Sequence, residues 1–299
     1  MRIASACGSI ALVALASAAV RPAAAITVDG RLDPEYGAAL VVQSTQTGFD
    51  DNTAGLVEFA NGSELDAAYA SVSDGVLHLF FSGNLASRLV PSDSPDFSDF
   101  LRVYLDCAPG GQNPLIDDMP GFRFDAGFEP DYVLRCYNID HDWAPGGLLV
   151  TSEETLPAGG GGLGEVLGTS PPGGPGTLAG GTNPFGVQAA IDCSNTAGVS
   201  AGCGASTPGA VVTGIEWSIP LSAIGNPAGC IGICAIVTDH VGREVSNQVL
   251  PPVPPGTCDL GPSSTVNLDA VAGAQFFQIC PALTPTAWRT WGSLKSRYR

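Results

Sequence analysis

Beyond residue 25, no apolar run in this chain has the length or the period of a globular helix. The segments ELDAAYASVS, VLHLFFSGNL, DFLRVYLDC, FEPDYVLRCYNI, GIEWSIPL, CIGICAIVTD and AQFFQIC are short and are bounded by Gly, Pro, Asp or Ser. Several alternate with period two, which puts one face of a strand in a core and the other outside. In DFLRVYLDC, Leu101, Val103 and Leu105 share one face, with Arg102, Tyr104 and Asp106 on the other. In GIEWSIPL, Ile215, Trp217 and Ile219 share a face, so Trp217 is expected in the core. CIGICAIVTD is apolar on both faces, as a central strand must be. Ser73-Asp74-Gly75 supplies the Asp-Gly step of a hairpin turn. After SIPLSAI, the stretch AIGNPAG stops any helix within a turn or two. The expected fold is all-β: an antiparallel, jelly-roll-like β-sandwich with long Gly/Pro-rich loops and very little helix. With 39 Gly and 24 Pro but 44% hydrophobic residues, the composition is that of a loop-rich globular chain.

The start, MRIASACGSIALVALASAAVRPAAA, has one Arg, a short apolar run and an Ala-x-Ala end, the pattern of a secretory signal peptide covering residues 1–25. The domain organisation expected is this signal, one sandwich over residues 26–280, and a basic, aromatic tail over 281–299. No later segment is long and apolar enough to span a bilayer as a helix. The expected location is therefore outside the cell or on a bacterial cell surface. Within the sandwich, residues 157–183 form a low-complexity insert (AGGGG, PPGGPG, AGGTN), expected as an exposed loop.

Loss of the signal leaves Cys107, Cys136, Cys193, Cys203, Cys230, Cys234, Cys258 and Cys280. An even count in an exported chain points to disulfides. Cys193 and Cys203 flank the polar loop SNTAGVSAG and are a candidate pair, as are Cys107 and Cys136. Cys230 and Cys234 stand in CIGIC, which is neither a redox nor a zinc spacing. The formal charge of −17 becomes two units more negative without Arg2 and Arg21. Such a surface repels phosphate backbones and argues against nucleic acid as a partner.

The stretch LDCAPGGQNPLIDD raises the question of a cation. Asp106, Asn113, Asp117 and Asp118 offer the oxygen ligands calcium takes, without matching an EF-hand. They are the candidate metal site, with calcium as the candidate cofactor. The structural alternative is that Asp106 caps a Gly-rich turn. A phosphate cradle is excluded by the surrounding acids and by the absence of a Gly-Lys-Ser/Thr motif. For sugar binding the candidate platforms are Trp143, with Tyr104 and Tyr132 as weaker ones. His141 and its Asp neighbours in DHDW are the most suggestive short cluster. His78 reads as a strand residue and His240 as part of a turn. No paired-carboxylate or nucleophile motif marks the chain as an enzyme.

The mature start ITVDGRLDPEYG resembles the opening strand of DOMON-like and family 9 carbohydrate-binding jelly-rolls. Further landmarks, FANGSELDAAYA, YLDCAPGGQN, FDAGFEPDYVL, GGTNPFG, SNTAGV, TGIEWSIPLSAIGNPAG and SNQVL, resemble a family of uncharacterised exported bacterial proteins, many with PEP-CTERM-type sorting tails. This resemblance implies an extracellular β-sandwich and implies no reaction. The end, PTAWRTWGSLKSRYR, departs from that pattern, since it lacks the Pro-Glu-Pro motif and its apolar stretch. The function expected is non-catalytic, structural or binding, in the envelope or matrix. The alternative is a carbohydrate-binding module with polysaccharide as partner, and the third reading is a secreted enzyme.

Overall fold

A computed structural model describes residues 25–48, 63–85, 99–139, 148–171, 173–195, 197–200 and 202–281. The expected signal segment, nearly all of the tail, and Trp143 with His141 lie outside the described residues. The described chain forms two antiparallel sheets. One runs in the order β1-β2-β3-β10-β9, and the other β13-β12-β11-β4-β5-β6-β7-β8, with β14 also pairing β11. The strands are β1 Val41–Val42, β2 Glu64–Ser73, β3 Val76–Asn84, β4 Phe100–Asp106, β5 Tyr132–Ile139, β6 Leu148–Thr155 and β7 Gly164–Ser170. They continue with β8 Ala179–Gly180, β9 Gln188–Ile191, β10 Gly214–Pro220, β11 Ile231–Thr238, β12 Glu244–Leu250, β13 Asp259–Pro262 and β14 Phe277–Ile279. Among the described residues the helical content is limited to single 3-10 turns, such as Pro34–Tyr36. The all-β sandwich is as the alternation of the sequence requires.

The β2–β3 hairpin turns at Asp74 (φ 51°) and Gly75 (φ 78°), the two positive dihedrals a tight hairpin demands. Between the sheets lie the inner faces expected: Leu101, Val103 and Leu105 of β4 against Leu77, Leu79 and Phe81 of β3 and Ile215, Trp217 and Ile219 of β10. Trp217 is fully buried and meets Phe81 edge-on, with centroids 5.9 Å apart. β11, flanked by β4 and β12, is buried along its whole length.

A second apolar cluster covers the outer face of the nine-stranded sheet. Phe122, Phe124 and Phe128, from the 112–128 loop, pack on Tyr104, Val133, Cys234 and Ile236 with Val266 and Leu268. Phe124 contacts Phe122, Phe128 and Tyr104 edge-on, at 4.8 to 5.1 Å. At Arg102 and Tyr104 the outward side of β4 is therefore as buried as its inward side.

The Gly-rich insert corrects the sequence reading. Instead of an exposed loop it supplies β7 and β8, which extend the large sheet beyond β6. Ladder hydrogen bonds come from backbone groups, so a segment poor in large side chains can still pair when a neighbouring edge is offered.

Candidate functional site

At one end of the sandwich, three chain segments enclose a cleft of about 710 Å³. The first is the end of β4 with its loop, Asp106 to Gly110. The second is Gly127, Glu129, Asp131 and Tyr132, leading into β5. The third is the turn from Ile224 to Cys230 between β10 and β11. The cleft lies within the size range of small-ligand sites.

Two crossed carboxylate clasps build it. Asp131 Oδ2 accepts the N–H of Cys107 at 2.7 Å and of Ala108 at 2.8 Å. Asp106 Oδ2 accepts the N–H of Glu129 at 3.2 Å. The loop can lie this close only because residue 111 is glycine: a Cβ there would sit 2.2 Å from the Glu129 carbonyl oxygen, at φ +99°. On the opposite wall, buried Ala223 and Ile224 anchor the turn in the core. A Cβ on Gly225 would stand 3.0 Å from the Tyr132 hydroxyl. The Cys230–Cys280 disulfide ties this rim to the end of β14.

The cleft is electronegative. Burial raises the carboxyl of Asp106, which the N–H of Glu129 partly offsets and the charges of Asp131 and Glu129 raise again. Burial also raises Asp131, against the two N–H groups it accepts. The Cys107 thiol is pushed up to about 12 by burial and then by Asp131, Asp106 and Glu153, so it stays protonated and is not a nucleophile. Tyr132 is half-buried: it lines the cleft and also packs against the inter-sheet core.

The residues proposed for calcium are not brought together. Asp106 lines the cleft and caps the Glu129 backbone. The Asn113 side chain amide donates to the carbonyls of Phe124, Asp125 and Phe128, and its oxygen accepts the Phe124 N–H, which fastens the aromatic loop. Asp117 accepts the N–H groups of Gly161 and Gly162 and the Gln112 amide, and these hold its carboxyl below the usual range. Asp118 is buried beneath Arg102, Arg135 and the Tyr104 hydroxyl. Among the described residues, no group of three or more His, Cys, Asp or Glu is placed to hold a metal ion.

Arg102 and Arg135 are direct cross-strand partners on β4 and β5. Two like charges so placed repel, and Asp118 between them turns the repulsion into a network. Arg102 Nε lies 3.2 Å from Asp118 Oδ2, Arg135 reaches Asp118 Oδ1 at 3.6 Å and Glu154 at 2.8 Å, and Arg102 also donates to Thr238. Tyr104 donates to Asp118 at 2.6 Å and is fully buried, so it is no sugar platform. Its outward register suggested exposure, but the 112–128 loop covers it.

The cysteine pairing also differs from expectation. Cys203 bonds Cys258, with Cα atoms 5.1 Å apart, and not Cys193. Cys193 is buried, and its thiol lies 3.7 Å from the Leu85 carbonyl oxygen. Cys107 and Cys136 are both thiols. Strand register sets Cys136 opposite Leu101, at the far end of β4 from Cys107, too far for a bridge. Cys230 pairs with Cys280, while Cys234 faces the outer aromatic cluster.

Sequence reasoning had Asp106 and Tyr132 as ligands of two different sites, and the fold puts both in one cleft. Glu129 and Asp131 join them from FEPDYV, which carries both acids immediately before an aromatic-headed strand. No helix of the described chain is long and apolar enough to cross a membrane. No family model matches the chain, and neither a curated protein nor a solved structure matches it.

Proposed function

We propose that this chain is an exported, non-catalytic bacterial β-sandwich protein of the envelope or extracellular matrix, and that its cleft binds a polysaccharide without anionic groups. The observation that carries the reading is half-buried Tyr132 lining one recess together with Asp106, Glu129 and Asp131. A sugar presents an apolar C–H face to an aromatic ring and hydroxyl donors to carboxylates. The same acids repel uronate and phosphate polymers. Two disulfides fit an oxidising compartment.

Hydrolysis is the second reading, favoured by carboxyls of raised pKa in a cleft. Against it, Asp106 and Asp131 each spend an oxygen on backbone N–H groups that hold the cleft together. They serve as clasps between loops.

The test is thermal melting and calorimetric titration of the oxidised protein against neutral and acidic polysaccharides, with reducing-end release followed on each binder. At least one neutral glycan is expected to raise the melting temperature. Tyr132→Ala and Glu129→Gln should each weaken that binding by about tenfold, or ~1.4 kcal/mol, without sugar release in any sample. A panel with no binder would sink the reading, and steady release of reducing ends would replace it with hydrolysis.

A further inference from the structure

On the outer face of the five-stranded sheet, Glu64 and Asp66 are both fully buried. Asp66 is the extra residue of the bulge in β2, where the register shifts between Leu65 and Ala67, and Glu64 stands two positions before it. The carboxylates are neighbours: the charge of Asp66 acts on Glu64, and the Ser206 hydroxyl reaches both groups. Glu64 Oε2 accepts the Ser200 N–H at 2.5 Å, and Asp66 Oδ1 lies 3.5 Å from Ser206 Oγ. One hydroxyl proton cannot serve two carboxylates. The remaining oxygens, Glu64 Oε1 and Asp66 Oδ2, have no hydrogen-bond partner.

Glu216, on the same face, shows what a completed buried carboxylate looks like in this protein. It accepts the Tyr36 hydroxyl at 2.9 Å and the N–H groups of Asp29 and Gly30 at 2.9 and 3.0 Å. Among the described residues the Glu64–Asp66 pair lacks such a shell and lacks an ion pair as well. The ion pairs among the described residues join Arg31 to Asp192, Arg102 to Asp118, and Arg135 to Asp118 and Glu154. A third unpartnered oxygen stands across the bulge on β3. Ser82 is the register partner of Ala67, is fully buried, and its hydroxyl has no partner either.

We propose that Glu64 and Asp66 form a site for a divalent cation, calcium by its chemistry, with the Ser82 hydroxyl as a neighbouring ligand. Two carboxylates balance a divalent charge, and an all-oxygen set is what a hard cation selects. Leaving two adjacent carboxylates buried without a counter-charge costs several kcal/mol, and one cation removes both deficits at once. Ser200 and half-exposed Ser206, which reach the two carboxylates, stand on either side of Cys203, and the bond from Cys203 to Cys258 ties this stretch down. The site is separate from the polysaccharide cleft, and neither depends on the other.

The experiment compares melting of the oxidised protein in EDTA, calcium and magnesium, with calcium titrated calorimetrically. Calcium should raise the melting temperature with the logarithm of its concentration. Glu64→Gln and Asp66→Asn should abolish that shift while melting in EDTA no lower than the parent. Asp117→Ala with Asp118→Asn should keep the shift. If neither Glu64→Gln nor Asp66→Asn folds, Ser82→Ala is titrated in their place and should bind calcium more weakly than the parent. A parent that ignores calcium, a shift that survives in Glu64→Gln, or a Ser82→Ala variant that binds calcium as the parent does would overturn the proposal.

Discussion

Asp118 and the Glu64–Asp66 pair lie at similar depth, and the protein treats them in opposite ways. Asp118, 6% exposed, is held between two guanidinium groups and a tyrosine hydroxyl. Glu64 and Asp66, 0% exposed, meet one backbone N–H, one hydroxyl and no cation among the described residues. The difference follows from where the few basic residues fall. With 12 Lys and Arg against 29 acids, some buried carboxylates must do without an arginine. β4 and β5 carry Arg102 and Arg135 at facing positions, while β2, β3, β9 and β10 carry no Lys or Arg. On one sheet neutralisation is built into the strands. On the other, Arg31 reaches Asp192 from outside the strands, and no described Lys or Arg pairs with Glu64 or Asp66, which leaves protons or a metal ion from solution to neutralise them.

The largest expected effect breaks the neutralised side. Arg102→Met leaves Asp118 under-compensated and should lower stability by about 3–5 kcal/mol in urea unfolding. An effect below ~1 kcal/mol would mean that water reaches Asp118 and that the two sites are less different than their burial indicates.

Next in size is the cross-link over the bare pair. Cys203→Ser with Cys258→Ser opens a loop whose ends are 55 residues apart. It should cost about 2–4 kcal/mol and also weaken the response to calcium. The second effect distinguishes it from Cys230→Ser with Cys280→Ser, which should cost a similar amount and leave that response intact.

Glu64→Gln tests the comparison through its sign. Replacing this carboxyl by an amide removes the cost of taking up a proton on folding and should raise stability in EDTA at neutral pH by about 1 kcal/mol, whereas Asp118→Asn should lower it. Burial and then the Asp66 charge push Glu64 up to about 9 from an ordinary 4.5. Burial pushes Asp66 up to about 7. Both folded values stand above the unfolded ones, so between these limits the native state holds protons that the unfolded chain has released. Stability in EDTA must therefore fall as pH rises from about 4.5 to 9. The fall should be shallower in Glu64→Gln. It should not vanish, because Glu216 and Glu153, each raised to about 7 by burial, act in the same direction. Saturating calcium should flatten the parent's curve at the alkaline end. A parent curve that rises with pH in EDTA would contradict the burial of these acids.

The smallest expected effect is at Asp117. Its carboxylate clasps Gly161 and Gly162 at the surface. Asp117→Ala should leave the calcium response unchanged and shift melting little, with faster amide exchange over 159–163. A lost calcium response in this variant would return the cation to the loop where the sequence first suggested it.

How much could be read in advance depended on how local each cause was. The hairpin at Asp74-Gly75 and the inward faces of β4 and β10 follow from neighbours two residues apart. They are correct for that reason. The outer layer was not legible: Phe122, Phe124 and Phe128 keep no strand or helix period, and their burial comes from a loop that Asn113 fastens across a sheet. That layer is also why Tyr104 is inaccessible. Asp29-Gly30 looked like a family landmark and proves to be a donor pair for Glu216, far away in the chain.

From the sequence alone came the all-β class, the inter-sheet core and the acidic, cation-poor surface, since composition and period-two alternation act within a strand. The disulfide partners, the joining of Asp106 to Tyr132 in one cleft, and the choice of which buried acids meet an arginine were decided by tertiary structure. Each depends on strand register and loop path, which bring together residues tens to hundreds of positions apart and leave no trace in local pattern.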